Sequence, residues 1–338
     1  MQELFKKFIL LTKILLAVFL AGTVLSLFCV WYLDTGVHIY NKSGATDYKW
    51  KSNQMKSTMI EGFAWLKMDE QGFNNSFPIK GDIDILLMGS SHMEAVNVAS
   101  DKNTGYIMNE LLPEYYTYNI GISGHTIYSC ANNIHAAVSE YEPDEFVVIE
   151  TDRIDLNIED MQNVVSKNYP HIKSYDSGLV FFIQQYFPLA KNIYKQLVDW
   201  WSADTSIINY YENSKKKVSQ SKDYEMCLDQ FLEFIRSEAG TCKVIIVYQS
   251  PTELKSDGSL KIHDESENLT LFSQMCEKND IIFVDTISAF ESLYKEKHIL
   301  AHGFTNTAVG SGHLNEYGHK LVAEVVAKTI KEHSNVSQ

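Results

Sequence analysis

The chain has 338 residues, 45% of them hydrophobic, which suffices for a sizeable core and leaves one long uncharged segment near the N-terminus. A formal net charge of -14 excludes nucleic acid as an electrostatically held partner and says little about a neutral glycan. The five cysteines show no Cys-x-x-Cys spacing, which argues against both a disulfide-dense scaffold and a structural zinc site.

Residues Ile14 to Leu33 form an uncharged run of 20 residues. As a helix rising about 1.5 Å per residue it spans the ~30 Å hydrocarbon layer of a bilayer. Lys6, Lys7 and Lys13 precede it, Asp34 follows, and Trp31 and Tyr32 fall at the far interface. The positive-inside rule then predicts a single-pass anchor with a cytoplasmic N-terminus and the remaining chain outside the cell membrane. A cleaved signal peptide would show a shorter apolar core and a clear small-x-small site, which this run lacks. The predicted organisation is a cytoplasmic tip and anchor over 1–33, a juxtamembrane lead-in over 34–82, and one α/β domain over 83–338.

Five short runs rich in Val, Ile, Phe and Tyr follow: Ile83 to Met88, Tyr116 to Ile120, Phe146 to Glu150, Lys243 to Tyr248 and Ile281 to Asp285. Most lack polar alternation, as expected of parallel strands covered on both faces. Helical patterns separate them, including Ser129 to Tyr141 and Tyr224 to Glu238. A last helix from about Asn315 to His333 carries Leu321, Val322, Val325, Val326 and Ile330 on one stripe. The pattern predicts a doubly wound parallel sheet of five strands. The interval from about 156 to 222 exceeds a simple crossover and reads as a helical insertion. Its aromatics, Phe181, Phe182, Tyr186, Phe187, Trp200 and Trp201, suit a core, a lid or a docking face beside the membrane. Ser214 to Ser219 reads as a solvated loop.

Cys29 falls in the anchor, and Cys130, Cys227, Cys242 and Cys276 are expected to be small buried residues, although an even number outside the membrane would allow up to two disulfides. His298 and His302 stand four apart, a metal-compatible spacing without a clear third ligand, so neither a metal nor a cofactor is expected.

Gly89-Ser90-Ser91-His92 directly follows the first strand, where small residues allow the tight turn that lifts a hydroxyl to the carboxyl edge of the sheet. Far downstream, Gly312-His313-Leu314-Asn315 opens the last helical pattern. A serine hydroxyl is a weak nucleophile until an imidazole takes its proton, so Ser91 and His313 suggest a nucleophile and its base. His92 and His125 read as turn or pocket residues. In order and spacing these motifs resemble the SGNH or GDSL-type hydrolases and acyltransferases, a superfamily with a flavodoxin-like sheet. Gly89-Ser90-Ser91 is similar to its first block, Asn119-Ile120-Gly121-Ile122-Ser123-Gly124-His125 to its second, and His313 to its last. The resemblance implies Ser91 as nucleophile, the backbone N–H groups of Ser91 and Gly124 as oxyanion donors, and His313 as general base.

Two positions depart from that pattern. Ile154 stands at the nearest register to the family's third-block asparagine, so one oxyanion donor is expected to be missing, a loss of roughly 3 to 4 kcal/mol of transition-state stabilisation. Gly310 replaces the usual aspartate three residues before the histidine, leaving Asp285 and Asp152 as candidates to orient His313 or a dyad without an acid. With the anchor, the resemblance implies a membrane-bound branch that transfers an acyl group, acetyl first, to a cell-surface polysaccharide through an ester on Ser91. Such a protein would work beside a membrane-bound O-acyltransferase. The alternatives are an extracytoplasmic carbohydrate or lipid esterase, and a catalytically inactive fold that binds glycan or scaffolds a membrane partner.

Overall fold

The computed structural model describes residues 1–32, 36, 38–59, 61–76, 81–171, 222–263 and 266–334. Most of the expected insertion, with its aromatic clusters and the loop at Ser214 to Ser219, lies outside the described residues. The chain begins with helix α1 (Gln2–Tyr32), of which Gln2–Phe28 is long and apolar enough to cross a membrane. The helix therefore starts well before Ile14 and takes in the three lysines of its first half.

Five parallel strands form the central sheet: β5 (Ile85–Met88), β6 (Thr117–Asn119), β7 (Phe146–Thr151), β8 (Lys243–Tyr248) and β11 (Ile281–Asp285). Their spatial order is β11-β8-β7-β5-β6, so the first parallel strand lies between the second and the third. Strand order reverses between β5 and β7, which opens a crevice at the carboxyl edge where ligands of such sheets bind. Ser90 and Ser91 follow β5 at that point.

The continuous apolar runs are explained by burial on both faces, since side chains alternate across a strand. Leu86, Met88, Val147, Ile149, Val244 and Ile246 join one core with helices α4 (Ile127–Tyr141), α5 (Ile158–Val165), α6 (Lys222–Glu238) and α7 (Ser266–Lys278). Ile85, Leu87, Phe146, Val148, Ile245 and Val247 point the other way, towards α3 (Thr104–Leu111), α8 (Ile287–Lys297) and α9 (Glu316–His333). The stripe on α9 behaves as its period predicts, with Val322, Val326 and Ile330 fully buried. Asn315 caps that helix by accepting from the Tyr317 and Gly318 N–H groups. Cys130, Cys227, Cys242 and Cys276 are buried free thiols.

The lead-in packs against the sheet and the turn after its first parallel strand. Residues after the anchor form two antiparallel hairpin sheets, β1 (His38–Tyr40) with β2 (Tyr48–Trp50), and β3 (Met55–Thr58) with β4 (Ala64–Lys67). Trp50, Ala64, Leu66 and Met68 close a small core with Val96. Asp69 fastens this segment to the sheet: one carboxylate oxygen accepts three backbone N–H groups from Gln71 to Phe73, and the other accepts the Tyr118 hydroxyl at 2.8 Å. Two further two-stranded antiparallel sheets pair β9 (Thr252–Leu254) with β10 (Leu260–Ile262) and β12 (His302–Gly303) with β13 (Val309–Leu314).

Candidate active site

Ser91 opens the four-residue helix α2 (Ser91–Glu94), capped by the Ser90 hydroxyl, which accepts the His92 N–H at 3.2 Å. Buried Glu150, at the end of β7, braces the turn from below. Its Oε2 accepts both the backbone N–H and the hydroxyl of Ser90 at 2.9 Å. Burial, reinforced by the charge of Asp152, pushes the Glu150 carboxyl up to about 7. Gly89 is required here, because a Cβ would stand 2.6 Å from Met93 and 2.7 Å from Glu150 Oε2.

His313 lies on β13, just before α9 and not within the helix. Its Nε2 is 2.9 Å from Ser91 Oγ, and its Nδ1 is 2.6 Å from Glu61 Oε2. The His313 backbone N–H also donates to Glu61 Oε1 at 3.1 Å, so the carboxylate grips both ring and main chain. An ionised carboxylate only accepts, so Nδ1 carries the proton and Nε2 presents its lone pair to the serine hydroxyl. Burial opposes charging of His313, but the hydrogen bond and charge of Glu61 outweigh it and hold the imidazole above its ordinary value. Glu61 is in turn shifted below the usual range, since bonding to His313 exceeds the effect of its burial.

Glu61 is the site residue missed by sequence reasoning, and it corrects the expectation about the acid. Asp285 accepts the Ile287 N–H at 2.9 Å at the start of α8. Asp152 is near enough to feel the charge of His313 but makes no described bond to it. Neither orients the imidazole, whose Nδ1 is already taken. Nor is there room for an acid at position 310, where φ is +82° and a Cβ would approach Leu254 Cβ to 2.7 Å. The hairpin loop between β3 and β4 supplies the carboxylate instead. Asn306 clamps it, accepting the Gly62 N–H and donating to the Met59 and Gly62 carbonyls, while Asn97 donates to the Glu61 carbonyl. Glycine at 312 leaves the space, since a Cβ there would stand 2.8 Å from Glu61 Oε1.

Gly124 sits in the turn from Ile122 to His125, closed by the His125 N–H to the Ile122 carbonyl at 3.1 Å, with φ of +83°. This turn is drawn onto α2. The Ser123 hydroxyl donates to buried Glu94, whose other oxygen accepts the Trp50 indole N–H at 2.6 Å, and Gly121 packs against Met93 and Glu94. Ile154 is fully buried in the core, so its position contributes packing and no donor.

Several histidines surround the relay without joining it. His92 accepts the Leu314 N–H on Nδ1 and its ring centroid lies 5.3 Å from that of His313. His302 contacts Thr252 and Gln249, and His319 contacts Thr104. His298 caps the end of α8, donating its backbone N–H to the Tyr294 carbonyl and setting its ring edge-on to Tyr294. Burial lowers His302 and His319 to about 3 and His125 to about 4, with His92 also well below its ordinary value. Each titrates near 6.5 once unfolded, so below that pH the unfolded chain binds protons that the folded chain refuses. These four groups should therefore cost stability between about pH 6.5 and 4, by about 1.4 kcal/mol per pH unit for each proton taken up, offset in part by Glu150, whose raised carboxyl takes up a proton in the folded chain over the same range. Urea midpoints measured across that window test this, and a midpoint independent of pH would contradict it.

No protein-family model matches the chain, and no curated protein matches it. Among solved structures, the chain is similar to a two-domain esterase (CEX) active on acetylated mannans, with 12% identity and a TM-score of 0.41, covering 74% of this chain and 49% of that one. It thus spans about half the length of that esterase. It is also similar to an acetyl xylan esterase, AlAXEase, with 14% identity and a TM-score of 0.41 over 73% of this chain and all of that one. A third similar structure is a member of the lipolytic protein G-D-S-L family from Veillonella parvula, with 13% identity and a TM-score of 0.38 over 74% of this chain and 98% of that one.

Proposed function

We propose that the protein is a membrane-anchored serine acyltransferase acting outside the cytoplasm, which moves an acyl group, acetyl first, onto hydroxyls of a cell-surface polysaccharide. The observation that carries this reading is the continuous relay from Ser91 through His313 to Glu61. In the first half-reaction Ser91 Oγ attacks the donor carbonyl as its proton passes to His313 Nε2. The tetrahedral oxyanion is held by the N–H groups of Ser91 and Gly124, neither of which has an acceptor among the described residues. Collapse breaks the bond to the leaving group, which departs with the proton from His313, and Ser91 keeps the acyl group as an ester. In the second half a glycan hydroxyl gives its proton to His313, attacks the ester and releases Ser91 as an alcohol.

The intact relay counts against an inactive scaffold. Hydrolysis is the second reading, because the His313 side chain is 33% exposed and water can reach the ester. The charge asymmetry around α1 supports a cytoplasmic N-terminus, and an anchor raises the effective concentration of the domain near a membrane-bound O-acyltransferase that would supply the acyl group. The test is a serine-directed phosphonate applied to the full chain, with the adduct mapped by mass spectrometry. We expect it on Ser91, with no adduct in Ser91→Ala although that variant folds normally. Normal surface acylation by Ser91→Ala would remove the catalytic reading. Ester cleavage that no glycan acceptor can divert from water would replace transfer by hydrolysis.

A further inference from the structure

The hairpin that bears Glu61 also bears an exposed apolar face. Phe63 is 67% exposed, Trp65 55% and Met55 45%, and exposed Lys67 pairs with Met55 across the strands. Strand β4 alternates, with Ala64 and Leu66 buried and Trp65 and Lys67 outward, so this face is a consequence of strand period and not a loose end. Large aromatic side chains spaced among lysines are the composition of a membrane–water interface, where rings lie at headgroup depth and ammonium groups reach the phosphates.

Two independent observations say what covers the face. α1 meets the domain along β3, while side chains from Met1 to Phe28 are largely exposed, which puts the meeting at the C-terminal end of the anchor. A strand packed there sits at the height where the helix leaves the bilayer. The charge also fits. From His38 to Lys67 four lysines outside the core (Lys42, Lys49, Lys51, Lys67) stand against Asp47 and Glu61, while Lys56 is buried over the Trp50 ring, leaving a local excess of positive charge in a chain of net -14. An anionic leaflet attracts such a segment by about 1 kcal/mol per cation near the surface and repels the acidic remainder.

We propose that the face formed by Met55, Phe63, Trp65 and Lys67 rests on the anionic lipid surface where α1 emerges, so that Glu61, and through it the relay, works at headgroup height. The inference rests on α1 spanning a membrane but not on the chemistry of Ser91. Its consequence is that the site is presented to acyl donors and acceptors held at the bilayer surface.

The test uses the full chain with Cys29→Ser, carrying a polarity-sensitive dye at Phe63→Cys, in vesicles of phosphatidylglycerol and phosphatidylethanolamine. Labels at Phe19→Cys in the anchor and at Met226→Cys on exposed α6 serve as references. We expect the dye at 63 to be quenched by a shallow doxyl lipid and to be protected from aqueous iodide about three-fold or more relative to the dye at 226. A lipid-quenched label at 19 with the label at 63 as open to iodide as that at 226 overturns the seating and leaves the anchor intact. Labels at 19 and 63 both open to iodide overturn the anchor and the seating together. Because the readout is fluorescence, failure of the catalytic reading cannot be mistaken for either.

Discussion

His313→Ala should lower kcat for acyl release or transfer by roughly 10^6-fold, because members of a nucleophile–base unit each remove nearly the whole of its effect. Without an acceptor at 2.9 Å the Ser91 hydroxyl keeps its proton, and a neutral alcohol attacks an ester slowly. Phosphonate labelling of Ser91 should disappear in the same variant, which separates loss of nucleophilicity from loss of substrate binding. Turnover within about ten-fold of wild type would require another base. His92 is the nearest alternative, yet its Nδ1 already accepts the Leu314 N–H, so in the neutral ring the proton sits on Nε2 and no lone pair remains to take the serine proton.

Ser91 and His313 were legible in the sequence because each is marked by its neighbours. A strand ending in small residues and a histidine leading into a capped amphipathic helix are local patterns, although the two residues stand 222 positions apart. The five strands were legible for the same reason, since burial on both faces writes itself as an unbroken apolar run. Glu61 carried no such mark. It lies 252 positions from His313, in a segment whose short, half-exposed strands lack the unbroken apolar runs of the central sheet. Its selection is a matter of space: Leu254 closes position 310 to an aspartate, and glycine at 312 opens room for a carboxylate arriving from the other side. Such complementarity between distant glycines and a loop exists only once the chain is folded. The same limit applies to Glu150 and Glu94, whose buried carboxylates brace the nucleophile turn and the Gly124 turn through contacts that no motif encodes.

Glu61→Gln should lower kcat about 10^3- to 10^4-fold while leaving the fold in place, as expected when an orienting acid becomes an amide that tolerates the wrong imidazole tautomer. The amide offers an N–H to Nδ1 as readily as an oxygen, and the tautomer so favoured carries its proton on Nε2, facing Ser91. The pH profile provides the second readout. The base must be neutral, so activity in the wild type rises with pH through the His313 pKa, which Glu61 holds above 6.5. Removing the negative charge leaves burial as the dominant influence, and burial disfavours the imidazolium, so the acid limb of kcat/KM should move to lower pH even as the plateau falls. A purely structural role for Glu61 would depress the plateau without moving the limb. An unshifted limb with near-normal kcat would mean that the 2.6 Å contact orients nothing that the reaction uses.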